Sequence, residues 1–331
     1  MIKIAIIGFG TVGQGVAEVL IEKKEYLTKV VGDYKVVAVA DSKGSITGDF
    51  DLNHALKVKR DKKRLPDGLT ALEIVKNLDF DLLIETTTTN IEDGEPGLTH
   101  IKEALKRGKD VITSNKGPLV VSYKELMKIS KKNNCNLLFE ATVGGAMPVI
   151  KFVRRCLAGN KILSIKGILN GTCNYILSRM EKEKMPFKQI LAEAQELKIA
   201  EADPSYDVDG IDAASKLVIV ANALLDIDAK LKDVKITGIR EITPEAFDVA
   251  MEKGYTIRLI AEAGNELKVS PRLIPLNHPL VLQGTLNALQ IKTDLAGDVV
   301  VVGKGAGKRE TASAIISDFI DLYANQTINF I

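Results

Sequence analysis

Short apolar runs alternate with helical patterns through residues 2–141 of the chain. The apolar runs are continuous rather than alternating, which is typical of strands that are covered on both faces, as in a parallel sheet. Strands separated by helices predict βαβ units, and therefore an α/β, Rossmann-type domain over residues 1–148. The predicted strands cover residues 2–8, 35–41, 80–86, 109–114 and 135–141, and the predicted helices cover residues 12–29, 70–77, 97–107 and 122–132.

The pattern changes after Pro148, where helices are interleaved with several more strands. A Gly264–Asn265 pair divides one long β-rich run and predicts a hairpin. Residues 149–304 are therefore predicted to form a second, α+β domain, and a helix within residues 305–331 is expected to pack back and complete the first domain. Strands are predicted over residues 163–170, 234–239, 256–274, 287–293 and 298–305, and helices over residues 171–184, 187–198, 211–225 and 244–252.

Composition narrows the classes of partner. Lys and Arg number 45 against 43 Asp and Glu, and a net charge of +2 gives no reason to expect nucleic acid or an anionic membrane as a partner. No apolar run approaches the roughly 20 residues that cross a bilayer. The three cysteines lack a pairing pattern, and a strand that begins at residue 2 leaves no room for a targeting segment. We therefore expect a cytoplasmic protein.

The sequence GFGTVG follows the first predicted strand and opens a helix. Its glycines Gly8, Gly10 and Gly13 have GxGxxG spacing, which suits a tight turn, a close approach to a pyrophosphate and packing of helix on strand. In this context a dinucleotide site is favoured over a glycine turn without a ligand. Asp41 ends the second strand, where an acid binds the ribose hydroxyls of NAD, but the basic run 57–64 could reach the 2′-phosphate of NADP. The sequence leaves both cofactors open.

Polar residues also follow the later strands, at the edge where ligands bind in such sheets. A row of hydroxyls that includes Thr87 suits ribose and nicotinamide, and Lys116 is a candidate site residue on a predicted loop. In FEATVGGAMP, Glu140 and nearby carbonyls could enclose a hard cation. A plain hinge into the second domain is the alternative for that segment.

The stretch EADPSYDVDGIDAASK (201–216) is too acidic for the largely apolar helix that it opens. Asp212 and Lys216 lie one turn apart on that helix. On a buried helix such a polar stripe predicts a cleft in which the lysine donates and accepts protons, with a salt bridge between helices as the alternative. The acidic loop lacks the register of a calcium loop, which leaves a solvated turn or a pocket for the ammonium group of an amino acid. Cys173 is the one candidate thiol nucleophile, and it has no obvious histidine partner.

Motifs that span nearly the whole chain resemble homoserine dehydrogenases and follow the family order. The acidic segment is the most specific of them. The resemblance implies an NAD(P)-dependent oxidoreductase that interconverts L-homoserine and L-aspartate 4-semialdehyde by hydride transfer, in the pathway to threonine and methionine. The matching segments are GFGTVGQGV (8–16), TSNKGPL (113–119), FEATVGGAMP (139–148), LNGTCNYIL (169–177), EADPSYDVDGIDAASK (201–216), HPL (278–280) and GKGAG (303–307).

The resemblance also implies roles for the matching residues. Lys216 is the expected proton donor and acceptor at the substrate oxygen, and Lys116 is expected to assist it and to touch the cofactor. The expected substrate-binding residues are Glu201, Asp212 and Asp207. The expected cofactor-binding residues are Gly8, Phe9, Gly10, Thr11, Val12, Gly13, Asp41, Thr87, Lys116 and Gly307. A monovalent cation, typically Na⁺, is expected at Glu140 and at the carbonyls of Val143, Gly145 and Met147.

Two positions depart from the family pattern. Lys198 stands where the family usually has glycine near the cofactor, which puts cofactor contacts there in doubt, whereas Lys304 in GKGAG is not expected to interfere. The resemblance further implies a homodimer that forms through residues 149–304, and no C-terminal regulatory domain is expected after the last helix. Two rival functions remain at this stage. One is an aspartate-semialdehyde dehydrogenase with Cys173 as its nucleophile, and the other is a non-catalytic NAD(P) sensor.

Overall fold

The structure is a computed structural model that describes residues 1–324. The chain divides into two compact units: unit 1 consists of residues 1–145 and the chain from residue 307 onward, and unit 2 consists of residues 146–306. The helix predicted within residues 305–331 extends from Lys308 to Tyr323, and residues 325–331 of that prediction lie outside the described residues. Within residues 1–324 no helix combines the length and the apolar character that crossing a bilayer requires.

Unit 1 is an α/β unit around a six-stranded sheet. Its strands are β1 (Ile2–Ile7), β2 (Tyr34–Ala40), β3 (Ser45–Thr47), β4 (Leu82–Glu85), β5 (Asp110–Thr113) and β6 (Leu137–Leu138). The order β3-β2-β1-β4-β5-β6 is parallel except for the antiparallel pair β2–β3. The chain leaves β1 toward β2 and returns on the other side of β1 at β4. Such a switch point opens a crevice at the carboxyl edge of the sheet, and ligands bind there.

The helices of unit 1 depart from the prediction in three places, one of which is the helix predicted over residues 122–132, since it begins at Lys116. The pattern over residues 12–29 forms two helices instead of one, and they are separated at Lys23. The basic run 57–64 lies largely within a helix that was not predicted, which begins after Asp51 as its N-cap. The helices are α1 (Thr11–Glu22), α2 (Lys24–Val31), α3 (Leu52–Lys62), α4 (Ala71–Asn77), α5 (Gly97–Lys106), α6 (Lys116–Lys132) and α12 (Lys308–Tyr323).

The last helix, α12, packs on the core of unit 1. The ring of Phe319 meets Tyr34 edge to face at 5.6 Å between centroids, and the Tyr323 hydroxyl donates a hydrogen bond of 2.8 Å to Asp110. Phe319 is fully buried together with residues of β1, β2 and α1. This apolar face explains why the C-terminal part of the chain returns to the first unit.

Unit 2 is built on a second six-stranded sheet. Its strands are β7 (Ile162–Ile168), β8 (Lys235–Ile236), β9 (Tyr255–Ala263), β10 (Leu267–Pro275), β11 (Leu286–Thr293) and β12 (Asp298–Lys304). The order is β12-β11-β7-β9-β10-β8, and β9 and β10 form the hairpin predicted at Gly264–Asn265. The helices are α7 (Gly171–Glu183), α8 (Phe187–Glu196), α9 (Ser205–Val208), α10 (Ile211–Leu224) and α11 (Pro244–Glu252).

Candidate active site

The glycine loop after β1 is shaped by close backbone contacts. Gly8 has a φ of +98°, and a Cβ there would lie 2.3 Å from the carbonyl carbon of Thr86. A Cβ on Gly13 would lie 2.5 Å from the Gly8 oxygen, so α1 can pack this close only with glycine. A Cβ on Gly10 would meet nothing within 4 Å, which leaves open space beside the start of α1. This arrangement suits a pyrophosphate at the N-terminus of that helix.

A cleft of about 630 Å³ opens in unit 1 beside this loop. Gly8, Gly10, Asp41 and Thr87 line it, together with Lys43, Lys59 and His100. The other residues expected at the cofactor differ in burial and in the helix to which they belong. Phe9 is buried in the core, Thr11 is exposed at the start of α1, Val12 and Gly13 follow in the same turn, and Gly307 is the exposed N-cap of α12.

Asp41 is held on both of its carboxylate oxygens. Oδ1 accepts hydrogen bonds from the backbone of Lys43 (2.7 Å) and Gly44 (3.0 Å), and Oδ2 accepts from Leu65 N (2.9 Å) and Lys59 Nζ (2.5 Å). Burial disfavours the charged form of Asp41, but the hydrogen bonds from Lys59, Lys43 and Leu65 outweigh it and lower the pKa of the carboxyl group. The acid therefore fixes the turn after β2, and its oxygens are already used.

A buried acid that was not predicted supports the hydroxyl row after β4. Glu85 is fully buried and accepts hydrogen bonds from Thr87 N (3.0 Å) and Thr113 Oγ1 (3.1 Å). Asn115 donates from Nδ2 to the Thr87 hydroxyl at 3.1 Å. These bonds orient Thr87 at the cleft. The available sequence signal was an acid at the end of a buried strand.

Lys116 is not on a loop, which corrects the prediction. It is the first residue of α6, and the Asn115 side chain caps this helix by accepting a 3.0 Å hydrogen bond from Gly117 N. Asparagine is a favoured N-cap because its oxygen satisfies an N–H group that has no partner within the helix. The half-buried Lys116 therefore starts from a fixed backbone position.

The acidic stretch brings three charged groups together in unit 2. Lys216 Nζ lies 2.8 Å from Asp212 Oδ2 and donates a 2.8 Å hydrogen bond to the carbonyl oxygen of Leu169. Asp212 and Lys216 are 5% and 8% exposed, so the pair is held away from bulk water. Asp207, on the short helix α9, is joined to the pair through the side chain of Asn170.

Asn170, like Glu85, is a residue of the site that was not predicted from the sequence. Its Nδ2 donates to Asp207 Oδ1 at 2.6 Å and to Asp212 Oδ2 at 2.9 Å, while its Oδ1 caps α7 by accepting from Cys173 N at 2.8 Å. The signal was available, since an asparagine before Gly-Thr is a common helix start. We call Asn170, Asp207, Asp212 and Lys216 the unit 2 cluster.

Within the unit 2 cluster, the surroundings of Asp207 raise the pKa of its carboxyl group. Burial is the largest cause that raises the pKa of Asp207, and repulsion by Asp212 adds to it. Hydrogen bonds from Asn170 and Thr172 and the charge of Lys216 oppose this rise but do not cancel it. Two carboxylates thus share one amide, only Asp212 is paired with Lys216, and the cluster suits an additional cation.

Family models and known proteins match the chain along nearly its whole length. Residues 8–140 match the family model for the homoserine dehydrogenase NAD-binding domain, and residues 148–320 match the model for homoserine dehydrogenase. A homoserine dehydrogenase of Methanocaldococcus jannaschii is 48% identical, over 97% of this chain and 98% of that protein.

The chain belongs to the homoserine dehydrogenase family.

Solved structures agree with this assignment. One from Archaeoglobus fulgidus, whose own assignment as a homoserine dehydrogenase is provisional, is 60% identical, with a TM-score of 0.95 over 98% of this chain and 100% of that one. A homoserine dehydrogenase from a hyperthermophilic archaeon, in complex with NADPH, is 32% identical, with a TM-score of 0.84 and 97% of both chains covered. Membership of this family confirms the predicted fold class and function. Homoserine dehydrogenases are NAD(P)-dependent oxidoreductases, so the alternative of a non-catalytic sensor is excluded.

The other acids of the stretch 201–216 differ in their contacts. Asp203 and Asp209 stabilise the loop, because Asp203 accepts from Ser205 N (3.1 Å) and Asp209 forms a two-point ion pair with Arg240. Glu201, an expected homoserine ligand, is exposed. In the described part of the chain, no hydrogen bond or ion pair joins the Glu201 carboxylate to the unit 2 cluster.

Cys173 does not have the surroundings of a nucleophile. It is fully buried in the first turn of α7, and its thiol donates a 3.1 Å hydrogen bond to the Asp207 carbonyl. Burial, reinforced by the negative charges of Asp207 and Asp212, raises the pKa of the thiol well above its usual range. The rival function, an aspartate-semialdehyde dehydrogenase with Cys173 as its nucleophile, is therefore not supported.

The segment expected to bind a cation begins at Glu140, which is 3% exposed and starts a short 3₁₀ turn. Val143 and Gly145 follow in unit 1, Gly145 with a φ of +55°, whereas Met147 is in unit 2. Within residues 1–324 no three His, Cys, Asp or Glu side chains gather as a metal site. A cation at this segment would therefore depend on one carboxylate and backbone carbonyls, a donor set that suits a hard ion.

Proposed function

We propose that the two units divide the homoserine dehydrogenase reaction, with the cofactor held by unit 1 and the amino acid bound by unit 2. The observation that carries this proposal is the unit 2 cluster, in which a buried lysine lies 2.8 Å from both a carboxylate oxygen and a backbone carbonyl oxygen. Buried charged groups are costly unless they are paired, and their retention points to chemistry. We infer that the interconversion serves the synthesis of threonine and methionine.

The proton step falls to Lys216. The cofactor, when bound, would supply the hydride for the aldehyde carbon. Lys216 gives a proton to the oxygen of the forming alkoxide, while Asp212 and the Leu169 carbonyl hold its ammonium group in position. In the reverse direction the neutral lysine takes the proton of the hydroxyl group. Lys116 supports the step with its positive charge.

The acids of the unit 2 cluster suit the substrate ammonium group. Asn170 joins Asp207 to Asp212, and Lys216 is the one cation of the cluster, so a further cation completes the charge balance when both acids are ionised. We infer that the homoserine ammonium group binds between them. We also assign Glu201, which is exposed on its loop, to the substrate.

We infer a preference for NADP over NAD. The carboxylate of Asp41 is saturated by four donors, so it can accept the two ribose hydroxyls of NAD only by giving up bonds that fix its turn. Lys43 and Lys59 line the same cleft and place positive charge near the end of β2. The structurally similar archaeal enzyme in complex with NADPH agrees with this inference.

The test of the function is a spectrophotometric assay of nicotinamide reduction with L-homoserine, run separately with NAD⁺ and NADP⁺. We expect homoserine-dependent reduction of both cofactors, with a larger kcat/KM for NADP⁺. L-Serine and L-threonine are matched control substrates, since each has a hydroxyl group and an ammonium group at a different spacing. Absence of homoserine-dependent reduction with either cofactor would refute the proposal.

We further infer that Glu140 and the carbonyls of Val143, Gly145 and Met147 bind Na⁺. The burial of Glu140 and the all-oxygen donor set support this site. Such a cation would stabilise the segment and supply no proton or electron. Thermal unfolding in NaCl against tetramethylammonium chloride at equal ionic strength tests it, because only Na⁺ should raise the melting temperature, and Glu140→Gln should remove that rise.

A homodimer formed through unit 2 is also proposed. Strand β12 lies at the edge of the unit 2 sheet, and Val302 on this strand is 45% exposed. Leu273 and Leu295 in the same unit are 57% and 75% exposed. Light scattering after gel filtration should give twice the chain mass, and Val302→Lys should shift the population toward monomer, whereas a monomeric wild type would refute the dimer.

We place the protein in the cytoplasm. The cysteines Cys135, Cys156 and Cys173 are free thiols in the structure, which suits a reducing compartment. Fractionation of the source cells with an antibody to the chain tests this, because recovery outside the cytoplasmic fraction would refute it.

A further inference from the structure

His100 on α5 has an imidazole ring at the wall of the unit 1 cleft. Only 4% of the residue is exposed, and its Nδ1 atom has no hydrogen-bond partner in the described part of the chain. A buried ring nitrogen without a partner costs free energy that leucine at the same position would not. Packing therefore does not explain why this position is histidine, and a ligand that the ring contacts would.

Part of the lining of this cleft is apolar, including residues of α4 and the residue before α5. Pro96 precedes His100 by one turn of α5, and its carbonyl accepts a 3.2 Å hydrogen bond from His100 N. Leu69 and Leu72 line the same cleft just before and within α4. The charged lining residues Lys43 and Lys59 are associated instead with the turn after β2. An uncharged flat ring suits the apolar part of this lining better than a phosphate does.

The fold indicates which part of a dinucleotide reaches this part of the cleft. The pyrophosphate belongs at Gly10 and the start of α1, and the adenosine ribose belongs at the end of β2. The cleft is lined from these points to α4 and the first turns of α5, so the base attached to that ribose meets the apolar walls. Neutral imidazole has one donor and one acceptor, and the edge of adenine offers both as well.

We propose that His100 is a cofactor-binding residue that recognises the adenine ring through a ring contact and one hydrogen bond. The proposal rests on the cofactor site proposed above for unit 1. It requires that His100 act on the adenosine half of the cofactor and leave the nicotinamide half unaffected.

The test titrates the two halves of the cofactor separately, by calorimetry with the full chain. The ligands are NADPH, adenosine 2′,5′-bisphosphate and reduced nicotinamide mononucleotide. We expect His100→Leu to weaken NADPH and the bisphosphate by the same factor, roughly tenfold, which corresponds to one lost hydrogen bond and ring contact. Binding of the mononucleotide should stay within twofold of the wild type.

The matched control is Thr99→Ala, since Thr99 is the neighbouring residue of the same helix and its hydroxyl bonds to Glu95. It should leave all three affinities unchanged. If His100→Leu folds poorly, as a lower melting temperature would show, His100→Gln keeps a polar group and should recover part of the adenosine affinity. Equal losses for both halves, or unchanged binding of the bisphosphate, would overturn the proposal. Because these titrations need no turnover, they remain decisive even if the homoserine assay fails.

Discussion

Asp41 in unit 1 and Asp207 in unit 2 are both partly buried aspartates near a proposed site. The pKa of Asp41 is lowered, whereas the pKa of Asp207 is raised. Four donors surround Asp41, including an ammonium group and three backbone N–H groups. Asp207 lies close enough to Asp212 to be repelled by it, and the two share the amide of Asn170. The comparison shows that a carboxylate with satisfied oxygens fixes structure, whereas a crowded carboxylate is suited to receive a cation.

The formal charges around Asp41 and Asp207 differ in the same way. Asp41 and Lys59 form a neutral pair, while Asp207, Asp212 and Lys216 leave one negative charge in excess when both acids are ionised. The sequence analysis treated Asp41 as a ligand because of its position after a strand. In the structure both of its carboxylate oxygens accept hydrogen bonds from groups around the turn after β2, and its role at the cofactor stays a prediction.

The largest effect is expected from Lys216→Ala. Loss of the only lysine of the unit 2 cluster removes the proposed proton donor, and kcat should fall by about 10²- to 10⁴-fold. NADPH binding, measured by fluorescence titration, should stay within twofold because unit 1 is unchanged. Near-normal kcat in this variant would refute the assignment of Lys216.

Two further variants distinguish a loss of the proton donor from a loss of folding stability. Removing Lys216 leaves the buried Asp212 without its cation, which destabilises the protein by about 3–5 kcal/mol in comparable buried pairs. Lys216→Ala with Asp212→Asn removes both charges and should regain much of the melting temperature while remaining inactive. Lys235→Ala, which removes an exposed lysine of the same unit, should leave kcat unchanged.

Asn170→Ser should have the next largest effect, and its sign can be derived from the pKa of Asp207. Serine still caps α7, but it no longer donates to the two carboxylates. Asn170 lowers the already raised pKa of Asp207, so its loss raises that pKa further. Homoserine binding needs the ionised acid, and kcat/KM should therefore begin to fall at a higher pH as the solution is acidified.

The measurement is the acid limb of kcat/KM for homoserine, which should move upward in pH while kcat/KM near its optimum drops about tenfold. The matched control is Asn174→Ala, which removes another buried amide of α7 that bonds to the carbonyl of Gly284 at 2.8 Å. That variant lies outside the unit 2 cluster and should leave the limb in place. An unmoved limb in Asn170→Ser would show that Asn170 is a cap only.

A substitution beside Asp41 should have a smaller effect, and it should act on cofactor binding. Lys59→Gln removes positive charge from the cleft and should weaken NADPH binding about five- to tenfold, as expected for one charge-assisted hydrogen bond. NADH binding should be unchanged or tighter, because Asp41 Oδ2 loses one of its two donors. Lys57→Gln, on the same helix but outside the cleft, is the control. Equal weakening of both cofactors would show that Lys59 acts through the fold of the turn.

Much of the fold could be predicted because buried strands and the glycine loop leave local signals. The predicted strand 2–8 and the observed strand Ile2–Ile7 differ by one residue at the end. Helix α3 was missed because its sequence is rich in lysine and has a weak apolar face, although Asp51 gave the start signal. The site residues were harder, since the role of Asn170 arises from contacts 37 and 42 residues away along the chain.

Lys198 shows what the sequence could and could not say about a departure from the family. The family's glycine was expected to leave space near the cofactor. In the structure Lys198 is exposed just after α8 and has a φ of +58°. Lys198 N bonds to the Gln195 carbonyl at 3.0 Å and Ile199 N to the Ala194 carbonyl at 2.8 Å. This is the left-handed helix end at which glycine is favoured because it has no Cβ.

The smallest effect is therefore expected from Lys198→Gly, and it is a gain. Relief of the left-handed conformation should exceed the added entropy of glycine in the unfolded chain, for a net stabilisation of about 0.5–1 kcal/mol. Calorimetry should show a melting temperature higher by about 1–3 °C, with kcat and KM for the cofactor unchanged. Lys188→Gly, at an exposed position inside the same helix, is the matched control and should lower the melting temperature, because there glycine only weakens the helix. A change in the cofactor KM of Lys198→Gly would instead support the sequence-based expectation that this lysine affects cofactor contacts.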